Sequence, residues 1–123
     1  DPSKLEDGDF RRGMPRFQGE AFEANLELFE EFEILAAEAG CTPAQLCLAW
    51  LLHKDPIIVP IPGTTNPNHM SEDAAAANVR LSKEIMRRVE ELVNGDTVTG
   101  SRYAPAMQAS VDTERMPSEM EEA

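Results

Sequence analysis

The sequence predicts an α/β arrangement, mostly helical with one credible strand, and three features predict it. From Ala21 to Ala39 apolar residues recur at helical spacing. From Pro43 to Lys54 they cover a helix on nearly every side. Ile57 to Ile61 then form a short, continuous apolar run of the kind that fills parallel sheets. A helix that is apolar all round and a lone buried strand both demand covering surface. Each N–H or C=O of such a strand, if buried unpaired, costs on the order of 1–3 kcal/mol. The rest of the sheet is therefore expected to lie outside these 123 residues.

Residues 1–20 mix Gly8, Gly13, Gly19, Pro2 and Pro15 with charges of both signs, and read as a long surface loop. Residues 21–95 form the structured body. Its first helix carries Phe22, Leu26, Phe29, Phe32 and Ala36 at three- and four-residue steps, widened by Leu28, Leu35 and Ala39, and Gly40 stops it. Thr42, Pro43 and Gln45 have the pattern of a capping box with proline in the first turn. Leu46 to Leu52 follow as the all-round apolar helix, which must be sandwiched between other elements. The run from Ile57 is broken by Pro60 and ended by Pro62-Gly63, and reads as a fully buried strand. Asn66 can cap and Pro67 open a helix running through Met70 to Ala77. Ser82 begins the last helix, with Ile85, Met86, Val89, Leu92 and Val93 on one face and Asn94-Gly95 at its end. Residues 96–123 form a tail holding Tyr103 and Met107, and Met116 to Ala123 are expected to be disordered.

A formal charge of −12 argues against nucleic acid or an anionic membrane as partner, since both need a cationic surface. Lys54 is the only Lys or Arg between Phe17 and Val79, and Glu20 to Glu38 include seven glutamates, which read as a solvated acidic helix face. The longest apolar runs are interrupted by Gln45, His53 or Pro60 well short of a membrane span, so a soluble, cytoplasmic setting is expected. The first residue, Asp1, is not Met, which reads as a processed product or a piece of something longer. Cys41 and Cys47 lie six apart with no His or Cys at metal-site spacing, so reduced structural thiols and no metal are expected.

The most informative stretch is Ile57 to Asp73, IIVPIPGTTNPNHMSED. It reads as a strand, a Pro62-Gly63 turn, two threonines and a capped helix start. Backbone amides and the positive end of a helix dipole gather at such a turn, Thr64 and Thr65 add hydroxyls, and Gly63 permits close approach of a ligand. On these grounds alone an anion site and an ordinary connection both remain open.

This stretch resembles the end of the aldo-keto reductase family, where the last barrel strand enters an IPGT turn and a short helix. The likeness continues through FRRGMPRFQGE at Phe10 to Glu20, Asn25 to Leu28, TPAQLCLAWLL ending at Leu52, Val79 to Ser82, and Arg102-Tyr103. It is nearest to the potassium-channel-like and auxin-induced-like members. The resemblance implies the C-terminal third of a (β/α)8 TIM barrel, with active-site loops at the C-terminal ends of the strands. Ile57 to Ile61 would be the eighth strand, following a loop at 1–20 from the seventh. Pro43 to Lys54 and Pro67 to Ala77 would be the seventh and eighth barrel helices, with extra helices from Ala21 and Ser82.

The resemblance further implies NADP(H) as cofactor. Pro62, Gly63 and Thr64 would line the adenosine phosphate, with Thr65 and Asn66 beside it. His69 stands where the family usually has an arginine for the 2′-phosphate, and Glu72 and Asp73 stand at the adenine edge. Positions commonly Lys, Arg and Arg are Thr65, Asn66 and His69 here, so no permanent cation lies between Pro60 and Asn78. A 2′-phosphate favours fixed, bidentate Arg contacts. Weakened NADPH preference, with NAD(H) admitted, follows. The whole enzyme would reduce aldehydes or ketones by hydride transfer, using a tyrosine acid tuned by lysine, aspartate and histidine. None of those four matches a position here, and Tyr103 matches no catalytic position, so this chain alone is expected to be inactive. Its partners would be the cofactor, the remainder of the barrel and a small carbonyl substrate. The alternative is a non-catalytic acidic helical module that binds a protein through Phe22, Phe29 and Phe32, or through the stripe containing Trp50.

Overall fold

The computed structural model describes residues 2–111. The expected disorder of Met116 to Ala123 falls outside them. Five α-helices are present among the described residues: α1 (Gly19–Glu38), α2 (Pro43–Lys54), α3 (Pro67–Ala75), α4 (Lys83–Leu92) and the single-turn α5 (Pro105–Gln108). The described residues divide into two compact units, one of residues 30–92 and one of residues 2–29 with 93–111.

The 30–92 unit holds every buried apolar side chain among the described residues. Phe32, Leu35 and Ala36 of α1, Leu46 of α2, and Ile85 and Val89 of α4 form its core, with Cys41, Trp50, Leu81 and Leu92 packed against it. Leu46 is the only large side chain here that is fully enclosed. The turn from α1 into α2 is fixed by local chemistry. Gly40 takes a φ of +71°, the Cys41 N–H reaches Ala36 O at 3.0 Å and the Gly40 N–H reaches Ala37 O at 3.1 Å, so both ends of a Schellman motif are made. The capping box then forms as the sequence predicts: the Gln45 N–H donates to Thr42 Oγ1 at 3.2 Å and the Thr42 N–H to Gln45 Oε1 at 3.1 Å. Ser82 Oγ accepts from the Ile85 N–H at 3.1 Å and starts α4.

Two ion pairs tie α4 to its neighbours. Arg88 bonds Glu38 of α1, and Lys54 Nζ of α2 bonds Glu90 Oε1 at 2.8 Å while lying 5.4 Å from the centre of the Trp50 ring. On α4 itself Arg87 bridges Glu84 and Glu91 at three- and four-residue spacing. These guanidinium and ammonium hydrogen bonds hold the Glu38, Glu84 and Glu90 carboxyls below their ordinary value of 4.5. His53 uses both ring nitrogens: Nδ1 bonds Ala49 O at 2.8 Å, and Nε2 accepts from the Leu81 N–H at 3.3 Å. That joins the end of α2 to the segment before α4.

One sequence expectation is corrected. The buried strand at Ile57 to Ile61 does not form, and no β-strand occurs among the described residues. Ile57, Val59 and Ile61 are 82%, 79% and 90% exposed, whereas Ile58 and Pro60 are half-buried. A two-residue alternation thus survives without a ladder. Burying the run without partners for its amides would cost more than its apolar side chains return, so it stays at the surface. The all-round apolar helix pairs its own amides but lacks covering surface. Leu46 and Ala49 of α2 are buried, but Leu52 is 40% exposed and Cys47 is exposed.

In the other unit the opening residues are not featureless. Three 3-10 turns, Pro2–Lys4, Phe10–Gly13 and Pro15–Phe17, precede α1, which begins at Gly19. Asp9 caps the second by accepting from the Arg11 N–H at 3.0 Å, and its bond to the Arg11 guanidinium lowers its pKa to about 2. Asn25 bonds the backbone of Thr99 in both directions, and Arg16 bonds Gly100 O.

Of the residues named for the rival interaction reading, Phe32 is buried and Trp50 packs against the core beneath Lys54, while Phe29 is 45% exposed and Phe22 half-buried. Among the described residues no single helix is long and apolar enough to cross a membrane.

Leu46→Ala is expected to lower unfolding stability by about 2–5 kcal/mol, measured by urea denaturation, because it opens a cavity where three helices meet. Gly40→Ala should cost about 1–2 kcal/mol in the same assay through left-handed strain. A carboxyl whose pKa is lowered by folding adds stability that is complete above its ordinary value and is lost as pH falls through its folded value. Glu38→Gln should therefore melt below the unsubstituted chain at pH 7, with the gap closing below the ordinary carboxylate range. An equal gap at both pH values would contradict the pairing with Arg88.

Candidate functional site

The segment Pro62 to Asn66 enters α3 through a compact set of hydrogen bonds. The Asn66 N–H donates to Thr64 Oγ1 at 3.1 Å, and Asn66 Oδ1 accepts from the Asn68 N–H at 2.9 Å as the helix cap. Pro67 takes the first helical position, where a missing N–H costs nothing. The Met70 N–H closes the first α-turn on Asn66 O at 3.1 Å. No acidic side chain stands in the first turn of α3, so its positive end is not neutralised locally.

Pro62, Gly63, Thr64, Thr65, Asn66 and His69 are all exposed, and a Cβ added at Gly63 would meet nothing within 4 Å. The turn therefore presents open backbone, as close approach of a ligand requires. Beside it lies a groove of about 320 Å³ between α2, the 60–64 segment and α3, lined by Leu48, Leu52, Pro60, Pro62, Thr64, Met70, Asp73, Ala74 and Ala77. Three of the eight sequence-predicted positions, Pro62, Thr64 and Asp73, thus converge on one concave surface. Thr65 and His69 lie on the exposed turn and first helical turn without lining it.

Glu72 is oriented differently. Its carboxylate accepts from Thr42 Oγ1 at 2.5 Å, and its backbone O accepts from Gln45 Nε2 at 3.0 Å. The residue that follows from the family pattern at an adenine edge is thereby also a brace between α3 and the capping box of α2. The aliphatic wall of the groove, Leu48, Leu52, Met70, Ala74 and Ala77, was not singled out as site residues in the sequence. The signal that points to it is the excess of apolar residues around α2, for which core packing uses only one side.

The residues present offer backbone and hydroxyl donors for a phosphate and an apolar wall for a ring face, without a fixed cation. The helix start, the Thr64 hydroxyl and the open Gly63 backbone suit an anion. His69 is the only basic side chain between Pro60 and Asn78, and Asp73 sets a negative group in the groove wall. Among the described residues no group of three or more His, Cys, Asp or Glu side chains is arranged to hold a metal ion. Partial burial pushes the Cys41 thiol above its ordinary pKa, which disfavours the reactive thiolate. Tyr103 is half-buried with the Arg102 guanidinium 5.3 Å from its ring centre.

A strand-like apolar run without a sheet, opening onto a helix start suited to an anion, is what a piece of a larger nucleotide-binding barrel would contain. Residues 1–94 match the aldo/keto reductase family, and the chain belongs to that family. It is similar to the aldo-keto reductase yakc [NADP(+)] of Schizosaccharomyces pombe, with 40% identity over 118 residues that cover 94% of this chain and 35% of the relative. The chain therefore spans about a third of that curated relative's length. The family implies a (β/α)8 barrel, which accounts for a strand sequence with no strand beside it.

Thr42→Val removes the α2 cap and the brace to Glu72 together. It is expected to cost about 1 kcal/mol or more in urea denaturation, with Thr42→Ser restoring most of the loss. Full stability of the valine variant would show that neither bond matters.

Proposed function

We propose that this chain is the C-terminal, cofactor-binding segment of an aldo-keto reductase that reduces aldehydes or ketones with a nicotinamide cofactor. The observation that carries this reading is the Pro62–Asn66 turn, open at Gly63 and feeding a capped, acid-free helix start beside an apolar groove. The family match over residues 1–94 and the NADP(+) in the relative's name support it.

In this reading Gly63, Thr64 and Thr65 offer backbone amides and hydroxyls to the adenosine phosphate, with Pro62 shaping the turn. Asn66 holds the helix start in place, and the apolar wall from Leu48 to Ala77 receives the adenine face, with Asp73 at its edge. Glu72 acts through its brace to Thr42, keeping α3 at a fixed height against α2. His69 stands nearest the 2′-phosphate. The cofactor, when bound, supplies the hydride. The tyrosine, lysine, aspartate and histidine that the family uses for proton transfer belong to the remainder of the barrel. This segment binds and orients, and by itself carries no acid for the reaction.

With no Arg or Lys between Pro60 and Asn78, the 2′-phosphate receives little fixed positive charge. NADPH and NADH are therefore expected to bind the complete reductase within about tenfold of each other, a difference of about 1.4 kcal/mol. His69→Arg should tighten NADPH alone by about tenfold or more, since a charge-assisted bond contributes about 1.5–3 kcal/mol. Fluorescence titration with both cofactors measures this. An unsubstituted protein that prefers NADPH fiftyfold would refute the weak-charge argument, and one that binds neither nucleotide would refute the reductase reading.

A further inference from the structure

The segment following α4 is a folded strap. Asn94 Oδ1 accepts from the Asp96 N–H at 2.9 Å and the Thr97 N–H at 3.2 Å, and the Val98 N–H closes on Asn94 O at 3.1 Å. The next two residues are clamped to the start of the chain. Asn25 Nδ2 donates to Thr99 O at 2.8 Å, and Asn25 Oδ1 accepts from the Thr99 N–H at 2.9 Å. One carboxamide thus makes the paired bonds that a neighbouring strand would make, which requires a donor and an acceptor side by side. Arg16 Nε donates to Gly100 O at 2.9 Å. Gly100 has a φ of +82°, and a Cβ there would stand 3.2 Å from Ala21 Cβ and 3.8 Å from Pro15 Cβ.

The loop that this strap touches is held by local hydrogen bonds rather than by buried side chains. The turns Phe10–Gly13 and Pro15–Phe17 contain no buried residue. The second is closed by the 3-10 bonds of Phe17 to Met14 and Gln18 to Pro15, which have poorer geometry than α-helical ones, and Gln18 Nε2 donates across it to Arg12 O at 2.6 Å. From outside the loop the strap adds the Arg16–Gly100 bond and the close approach of Gly100 to Pro15.

We propose that the 94–100 strap positions the 10–18 loop, with Asn25 and Gly100 as positioning residues. The clamp stands on the geometry above. Its consequence for catalysis rests on the reductase reading, in which this loop follows the seventh strand at the active-site end of the barrel. The strap then sets the loop's height at the cleft without touching either ligand.

Amide hydrogen exchange on the full 123-residue chain tests the clamp. Asn25→Leu should speed exchange of the Thr99 and Gln18 amides together by about tenfold, while Leu46 in the helical core keeps its rate. Asn25→Asp retains the acceptor for the Thr99 N–H and should restore that amide in part. Gly100→Ala, which meets both Ala21 and the positive-φ strain, should loosen the same loop by a separate route. Faster Thr99 exchange with Phe17 and Gln18 unchanged overturns the proposal, as does a rise at Leu46 equal to that at Thr99. In the complete reductase, Asn25→Leu should raise KM several-fold with kcat nearly constant. An unchanged KM with a freed loop removes the role at the cleft, whereas failure of the unsubstituted protein to bind NADPH removes the reductase reading and leaves the exchange result standing.

Discussion

Backbone amides must be paired when buried, and that requirement decides which of this chain's apolar segments become its core. Ile57 to Ile61 is among its most hydrophobic stretches, but with no neighbouring strand it cannot go inside. An α-helix carries its own hydrogen bonds, so the core is made by helices instead. Phe32, Leu35, Leu46, Ile85 and Val89 meet from three of them, and among the described residues Leu46 is the only large side chain enclosed completely. The core is therefore thin, and much of the ordering comes from caps and side-chain bonds around it. The Schellman turn at Gly40, the Thr42 box and the His53 link to Leu81 each fix where one helix leaves off and the next begins.

What was legible in the sequence was local. The box at Thr42, the stop at Gly40 and the Asn66 cap depend on residues at most five apart, and they appear where their spacing puts them. The strand was misjudged for a physical reason: its pattern records the environment of a sheet that these residues do not contain. The Asn25–Thr99 and Arg16–Gly100 bonds join positions 74 and 84 apart, and no periodicity announces them. Asn25 and Arg16 lie within stretches that resemble the family, but nothing in their spacing points to a clamp.

The candidate site divides along the same line. The turn proposed to hold a phosphate, Pro62 to Asn66, can be picked out from the sequence because its elements lie in short order: a glycine, hydroxyls and a capped helix start. The apolar wall cannot, because Leu48 and Leu52 of α2, Met70 of α3 and Ala77 of the 3-10 turn Ala76–Asn78 acquire meaning only when these pack side by side. Glu72 belongs to both descriptions, since the pattern assigns it to a ligand and its carboxylate rests on Thr42. Side chains that serve a fold and a ligand at once are hard to assign from their type alone.

The prolines of the exposed run impose a direction on anything that joins it. Pro56, Pro60 and Pro62 share one parity, so in an extended backbone their missing N–H groups all fall along the same edge. Val59 and Ile61 keep theirs on the other. A strand approaching from the proline side finds carbonyls but few donors, and two copies cannot zip together symmetrically along it. The same spacing makes an uncovered hydrophobic ribbon a poor seed for indiscriminate stacking, and allows it to accept a full set of backbone partners from one flank only.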